Sequence, residues 1–306
     1  MTIHGIHTID TGFVRPQFDA AYLIVENGRG AFIDCGTNFS VPRMLAALDE
    51  AGITAAEVDW LILTHVHLDH AGGAGELIAQ LPNAKLVVHP RGARHMIDPS
   101  VLWAGASAVY GEAVMEQTYG RLRPIPAERV IEAPDRHVVD LAGRPLLCID
   151  TPGHAKHHLT VYDARANACF TGDVFGLSYR EFDTSSGPFI LPTTSPVQFD
   201  PDALHASIDR LLALHPSAMY LTHYGRVEHV ERLAADLHQQ IDAMVALARA
   251  ADGHEYRHAN LVEALTDLYA GRAEAHGWTQ GREALVQLLH MDIELNAQGL
   301  AVWLDR

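Results

Sequence analysis

Residues 64–73 read THVHLDHAGG and place three histidines and one aspartate within six residues. The segment follows directly on the apolar run 60–63, which is typical of a buried β-strand. Packing does not explain such a run, because buried imidazoles and carboxylates need polar partners. Both groups are good ligands for divalent metal ions. The segment therefore predicts a metal site just beyond the end of a strand.

Further candidate ligands stand alone in the chain, each a few residues after an apolar run. They are His154, Asp173 and His223. Loops at one edge of a sheet converge in space even when they are far apart in sequence. Histidine is also unusually frequent, with 20 in 306 residues. We therefore expect these three side chains to join the site formed by the motif.

Short strands alternate with helices over the first three quarters of the chain, which favours an α/β fold. The predicted strands cover 3–9, 20–26, 31–34, 59–64, 85–89, 137–141, 146–150, 159–162, 168–171 and 218–222. One helix is expected between Ser40 and Gly52, and another begins after Asp200. The alternation is interrupted by an insertion over 97–128 and by a Gly-, Pro-, Ser- and Thr-rich loop over 179–199.

From residue 228 onward the pattern is purely helical, with apolar residues at helical spacing. One long helix ends near Gly253, a second lies around 261–268, and a third covers 279–290. We therefore predict a catalytic domain over 1–227 and a C-terminal helical region over 228–306. That region would be either a lid over the site or a homodimer interface.

Charge and cysteine content limit the partners of the chain. The formal net charge is −16, from 38 acidic and 22 basic residues, which disfavours nucleic acid and anionic membranes. No apolar run approaches the ~20 residues of a membrane span, and no secretory pattern is seen. Cys35, Cys148 and Cys169 lie in apolar runs and are predicted to be buried, reduced thiols. We expect a cytoplasmic protein.

The histidine motif and the later candidate ligands resemble the motifs of the metallo-β-lactamase-fold superfamily, in the branch that holds glyoxalase II-type thioesterases and lactonases. The resemblance covers about residues 5–227. After the histidine motif it includes TPGH at 151–154, TGD at 171–173 and LTH at 221–223, and DCG at 34–36 is similar to the family's early Asp-x-Gly turn. It implies a four-layer αβ/βα sandwich with a metal centre at the edge between two sheets.

The resemblance also implies a ligand set with two groups. Seven side chains would bind two divalent ions: His65, His67 and His154 the first, Asp69, His70 and His223 the second, with Asp173 bridging both. Zinc is the expected metal. Iron and manganese stay open, because imidazole and carboxylate ligands suit all three.

Particular residues separate this chain from other branches. Class B β-lactamases commonly have arginine at the position of His70 and cysteine at that of Asp173, so antibiotic hydrolysis is disfavoured. Flavodiiron proteins have glutamate within 66–68, where this chain has VHL. RNase Z-type nucleases would be expected to show basic RNA-binding elements, which a charge of −16 disfavours.

The ligand set implies a dinuclear hydrolase in which a metal-bridging hydroxide attacks an activated acyl bond. The bond would be a thioester, a lactone or another ester of a small molecule, and Asp69 would orient the nucleophile. Tyr224, Arg180 and His158 are candidate substrate contacts, although packing or surface roles stay open for all three.

Two other classes of function stay open at this point. The first is a mononuclear iron oxygenase like the persulfide dioxygenases, which predicts one iron per chain. The second is a metal-binding regulatory protein with little turnover.

Overall fold

The computed structural model describes residues 3–194 and 197–306. Two residues of the predicted loop over 179–199 thus lie outside the described residues. Strands of the described chain form two six-stranded sheets.

The first sheet contains strands in chain order: β1 (Ile6–Asp10), β2 (Ala20–Glu26), β3 (Arg29–Ile33), β4 (Val58–Ile62), β5 (Lys85–Val88) and β6 (Val130–Glu132). β1, β2 and β3 are antiparallel neighbours. β3, β4, β5 and β6 run parallel. The histidine motif follows β4, so it lies at the carboxyl edge of the parallel part, where sites in such sheets collect.

The second sheet contains β7 (Val138–Leu141), β8 (Arg144–Asp150), β9 (Leu159–Asp163), β10 (Ala168–Gly172), β11 (Ala218–Leu221) and β12 (Gly225–Val227). Their order across the sheet is β12-β11-β10-β9-β8-β7. β7 to β10 pair as consecutive antiparallel strands.

Helices flank the sheets: α1 (Val41–Ala51), α2 (Leu68–Ala71), α3 (Ala74–Gln80), α4 (Pro90–Ile97), α5 (Ser100–Tyr110), α6 (Glu112–Tyr119), α7 (Pro201–Leu212), α8 (Val230–Ala251), α9 (Arg257–Ala275) and α10 (Gly281–Leu304). The predicted α/β sandwich with C-terminal helices is confirmed. Among the described helices, none combines the length and apolarity that a membrane span requires.

The first of two compact units comprises the described residues up to Asp150, together with His157–Gly172 and Thr222–Gly225. Apolar residues of β2 to β5 pack against α1 and α3, as Leu61 and Met44 do, and both are fully buried. On the other face of the first sheet, the ring of Tyr22 lies 5.2 Å from that of Phe170 on β10. Strand β2 is buried on both faces, which explains its continuous apolar sequence.

The second unit comprises Thr151–Lys156, Asp173–Leu221 and Arg226–Arg306. Its long helices bury one stripe each, as the spacing of Leu233 and Leu237 on α8 shows. Helix α10 extends to Leu304, beyond the predicted end at 290. The reason is that buried residues continue at helical spacing after that point, with Ile293 and Leu300 among them.

Several local expectations needed correction. Strands β6 and β12 are three residues long and were not predicted, because so short a segment shows no alternation. The insertion over 97–128 forms α5 and α6. The predicted burial of the three cysteines is confirmed.

Candidate metal centre

Asp34, the residue after β3, anchors two parts of the site. Its side chain is 2% exposed. It accepts hydrogen bonds from the backbone N–H of Thr64 at 2.8 Å and from the Thr64 hydroxyl at 2.7 Å. Its Oδ2 lies 3.0 Å from Nδ1 of His70 and 3.4 Å from the hydroxyl of Thr222. One buried carboxylate therefore holds the start of the histidine motif, one of its histidines, and the residue before His223.

Three predicted ligands, Asp69, His70 and His223, form one group, and their ligand atoms lie within 4.8 Å of one another. Nε2 of His70 is 3.7 Å and Nε2 of His223 is 3.5 Å from Oδ2 of Asp69. Nδ1 of His223 donates to the carbonyl of Phe18 at 3.0 Å. A carbonyl can only accept, so this bond fixes the tautomer and leaves Nε2 with the lone pair.

The other predicted ligands lie in two pairs, His65 and His67 in the first unit and His154 and Asp173 in the second. Nε2 of His65 and Nδ1 of His67 are 2.8 Å apart. Nε2 of His154 is 3.3 Å from Oδ2 of Asp173, and its Nδ1 is 2.9 Å from the hydroxyl of Thr193. His154 thus repeats the arrangement of His223, with one nitrogen held and the other facing a carboxylate.

The donor set fits divalent metal ions. All seven predicted ligands contribute an imidazole nitrogen or a carboxylate oxygen, and none is a thiolate. Most are buried, and buried carboxylates need a compensating positive charge. Such a set suits zinc, iron or manganese. The bridging role of Asp173 stays a prediction.

Close packing under the site depends on Gly172, the last residue of β10. Its φ is +49°, and a Cβ there would lie 2.6 Å from Nε2 of His158 and 2.7 Å from the hydroxyl of Thr64. Only glycine combines this backbone conformation with such close neighbours. Asp173 is the next residue, so the close packing around Gly172 fixes the position of the Asp173 backbone.

The predicted substrate contacts occupy different environments. His158 is fully buried, and its ring lies 5.0 Å from that of His65. Tyr224 is half-buried and follows His223 through a cis peptide bond. The guanidinium of Arg180 donates to the carbonyl of Ser178 and pairs with Asp183 at 3.3 Å. Substrate contact stays a prediction for each of the three.

Sequence reasoning missed Asp19 and Thr193. Asp19 is 1% exposed and accepts a hydrogen bond from the Thr11 hydroxyl at 2.7 Å. Burial raises the pKa of Asp19 to about 7, although nearby His223 and His70 lower it. A lone aspartate just before the apolar strand β2 was an available signal for Asp19. Thr193 lies in an irregular loop, where no pattern marks it.

Comparison with known proteins identifies the family. The model of the metallo-β-lactamase superfamily matches residues 14–223, more than half of the chain. The chain belongs to the metallo-β-lactamase superfamily. All seven predicted ligands lie within the matched residues, as does Asp34.

Two relatives of similar length support this assignment. A metallo-β-lactamase fold-containing protein of Sulfurisphaera tokodaii is 28% identical over 253 residues, 79% of this chain and 89% of that protein. A hydroxyacylglutathione hydrolase of Acidiphilium cryptum is 28% identical over 238 residues, 78% of this chain and 76% of that protein.

The solved structures show the same fold. The crystal structure of an archaeal superfamily protein from Sulfolobus tokodaii has a TM-score of 0.67 at 24% identity, covering 98% of this chain and 99% of that one. A metallo-β-lactamase family protein of Thermus thermophilus has a TM-score of 0.65 at 22% identity, covering 94% of both chains. The helices after residue 227 therefore have counterparts in superfamily structures of similar length.

Proposed function

We propose that this chain is a dinuclear metal-dependent hydrolase that cleaves a thioester, a lactone or another activated ester of a small molecule. The observation that carries the proposal is the group of Asp69, His70 and His223, in which the Asp69 carboxylate faces both histidines. Relatives support the reaction class: one is the hydroxyacylglutathione hydrolase, and another is an atrochrysone carboxyl ACP thioesterase of Aspergillus fumigatus, 27% identical over 163 residues.

Two divalent ions, zinc by preference, would supply Lewis acidity: they lower the pKa of water and polarise a carbonyl. The side chain of Asp69 is 25% exposed, whereas those of His70 and His223 are nearly buried. Asp69 is therefore the member of its group that meets solvent, so it would orient the attacking water and accept its proton. Tyr224 follows His223 and would donate a hydrogen bond to a substrate oxygen.

A panel of acyl thioesters and lactones tests the proposal. We expect hydrolysis by the metal-loaded protein, and a fall in kcat of about 10²–10⁴-fold in Asp69→Asn, which cannot accept the proton. Asp49→Asn is the matched control, because Asp49 is exposed at the end of α1; its kcat should equal that of the wild type. Near-normal turnover in Asp69→Asn would refute the role of this residue.

Other results on the same protein would favour the other classes of function. One iron per chain with thiol-dependent oxygen uptake would indicate an oxygenase. Bound metal without turnover on any acyl substrate would indicate a regulatory protein.

The role of residues 228–306 belongs to the same proposal. A lid would contact a sizeable acyl or carrier group, and an interface would join two copies of the chain. Light scattering separates these roles, since a monomer of 33.5 kDa excludes the interface.

A further inference from the structure

Helices α7 and α8 carry a symmetric quartet of two histidines and two aspartates apart from the metal centre. His205 and Asp209 are four residues apart on α7, and His238 and Asp242 are four apart on α8. Oδ1 of Asp242 lies 3.2 Å from Nε2 of His205, and Oδ1 of Asp209 lies 3.2 Å from Nε2 of His238. Each aspartate therefore reaches the histidine of the opposite helix.

The two imidazoles meet through their remaining nitrogens. Nδ1 of His205 is 2.6 Å from Nδ1 of His238. The ring planes are only 9° apart, with centroids separated by 4.9 Å. The rings thus point at each other edge to edge, nitrogen to nitrogen.

This geometry requires a positive charge between the rings. An ionised carboxylate can only accept a hydrogen bond, so the Nε2 atom that faces each aspartate carries the hydrogen. A neutral imidazole has one N–H, and both Nδ1 atoms of the pair then present lone pairs. Two lone pairs at 2.6 Å repel each other. Either a proton or a metal ion must therefore lie between His205 and His238.

Two features favour a metal ion over a proton. In the candidate metal centre, Nε2 of His65 and Nδ1 of His67 approach to 2.8 Å in the same way. Histidine ligands also commonly have a carboxylate on the other ring nitrogen, which orients the ring and raises its basicity. Both histidines of the quartet have one.

The quartet is accessible to ions and water. The side chains of His205 and His238 are 25% and 26% exposed. His205 and Asp242 also line a surface cavity of about 550 Å³. Tetrahedral coordination at ordinary Zn–N bond lengths needs the two nitrogens about 3.3 Å apart, which a small rotation of partly exposed side chains provides.

We propose that His205 and His238 bind a divalent transition-metal ion, of the zinc, nickel or copper class, through their Nδ1 atoms. Water completes the coordination, and Asp209 and Asp242 hold the rings from outside. The site joins α7 to α8 and is independent of the proposed hydrolytic centre.

Zinc uptake by the full chain tests this site. Protein that retains its tightly bound metal after desalting is dialysed against Zn²⁺, and metal per chain is measured by mass spectrometry. We expect about one additional zinc per chain in the wild type, bound by imidazole ligands. His205→Asn and His238→Asn should lose the additional zinc and keep the retained metal.

Two further variants serve as controls, and a third is a second test of the site. His254→Asn changes an exposed histidine after α8 and should keep the additional zinc. Asp173→Ala should lose retained metal and keep the additional zinc. Asp209→Asn leaves both imidazoles in place and should weaken zinc binding by about tenfold, which also tests the site if the histidine variants fail to fold.

The proposal is overturned if the wild type takes up no additional zinc, because the pair then holds only a proton. It is also overturned if the additional zinc survives in His205→Asn and His238→Asn.

Discussion

The Asp34 carboxylate lies 3.0 Å from Nδ1 of His70 and also accepts the backbone N–H of Thr64. The same buried group thus orients one predicted ligand and fixes the backbone where the histidine motif begins. Asp34 itself adopts a left-handed backbone conformation, with φ of +55°. Strain at such a position persists only where the surroundings hold it, and here three hydrogen-bonding neighbours do.

Replacing Asp34 should therefore damage stability and metal binding together. Asp34→Ala leaves the Thr64 N–H and His70 without their buried acceptor, and we expect a loss of about 3 kcal/mol in the free energy of unfolding. Metal affinity should fall about 10–100-fold, as when outer partners of ligands are removed. Urea unfolding and metal titration check both effects. Asp49→Asn should change neither, and unchanged metal affinity in Asp34→Ala would contradict the anchoring role.

The Thr193 hydroxyl, 2.9 Å from Nδ1 of His154, offers a gentler test of ligand orientation. Thr193→Val keeps the shape of the side chain and removes the hydrogen bond, so metal affinity should fall about tenfold. Thr193→Ser retains the hydroxyl and should stay near the wild type. Equal affinities of the valine and serine variants would show that the contact does not orient His154.

Crowding at Gly172 can be separated from backbone strain. Gly172→Ala places a Cβ against His158 and Thr64, whereas a Cβ at Gly143 meets nothing within 4 Å although its φ is +92°. Gly143→Ala should lose about 1 kcal/mol of unfolding free energy for the left-handed backbone. Gly172→Ala should lose about 2 kcal/mol more from overpacking. Similar losses by urea unfolding would contradict the close packing beneath the ligands.

Asp19 should make the metal-free protein sensitive to pH. Burial raises its pKa from 3.8 to about 7, so across this window the folded chain keeps a proton that the unfolded chain releases. By linkage, this contribution to stability is fully present below pH 3.8 and is lost as pH rises through about 7. Asp19→Asn does not titrate, so its unfolding free energy relative to the wild type should rise over that range. A constant difference would contradict the shifted pKa.

Much of the fold could be predicted because the strands are short, apolar and separated by clear turn signals. The helix that ends at Gly52 is one example: its glycine has φ of +72°, as expected of a residue that ends a helix. Strand β12 shows the limit, since three residues carry no period. The arrangement of the strands in two sheets was expected only from the family resemblance. Alternation within one strand does not indicate which other strand pairs with it.

The ligand candidates could be predicted because they are chemically conspicuous and follow strands. The partners that orient them were harder to find. Thr193 is separated from His154 by 39 residues, and no local pattern relates them. The α7–α8 quartet is similar: histidine and aspartate four residues apart are common on solvated helices, and only the packing of α7 on α8 brings His205 and His238 together.

The central claim is that the seven side chains hold two divalent ions. The most direct measurement is metal content per chain, by mass spectrometry on protein purified without chelator and desalted. We predict about two metals per chain in the wild type, as in other dinuclear hydrolytic sites, and a clear loss in Asp173→Ala. A wild-type protein that retains no metal, or an Asp173→Ala variant that retains the full amount, would contradict the account.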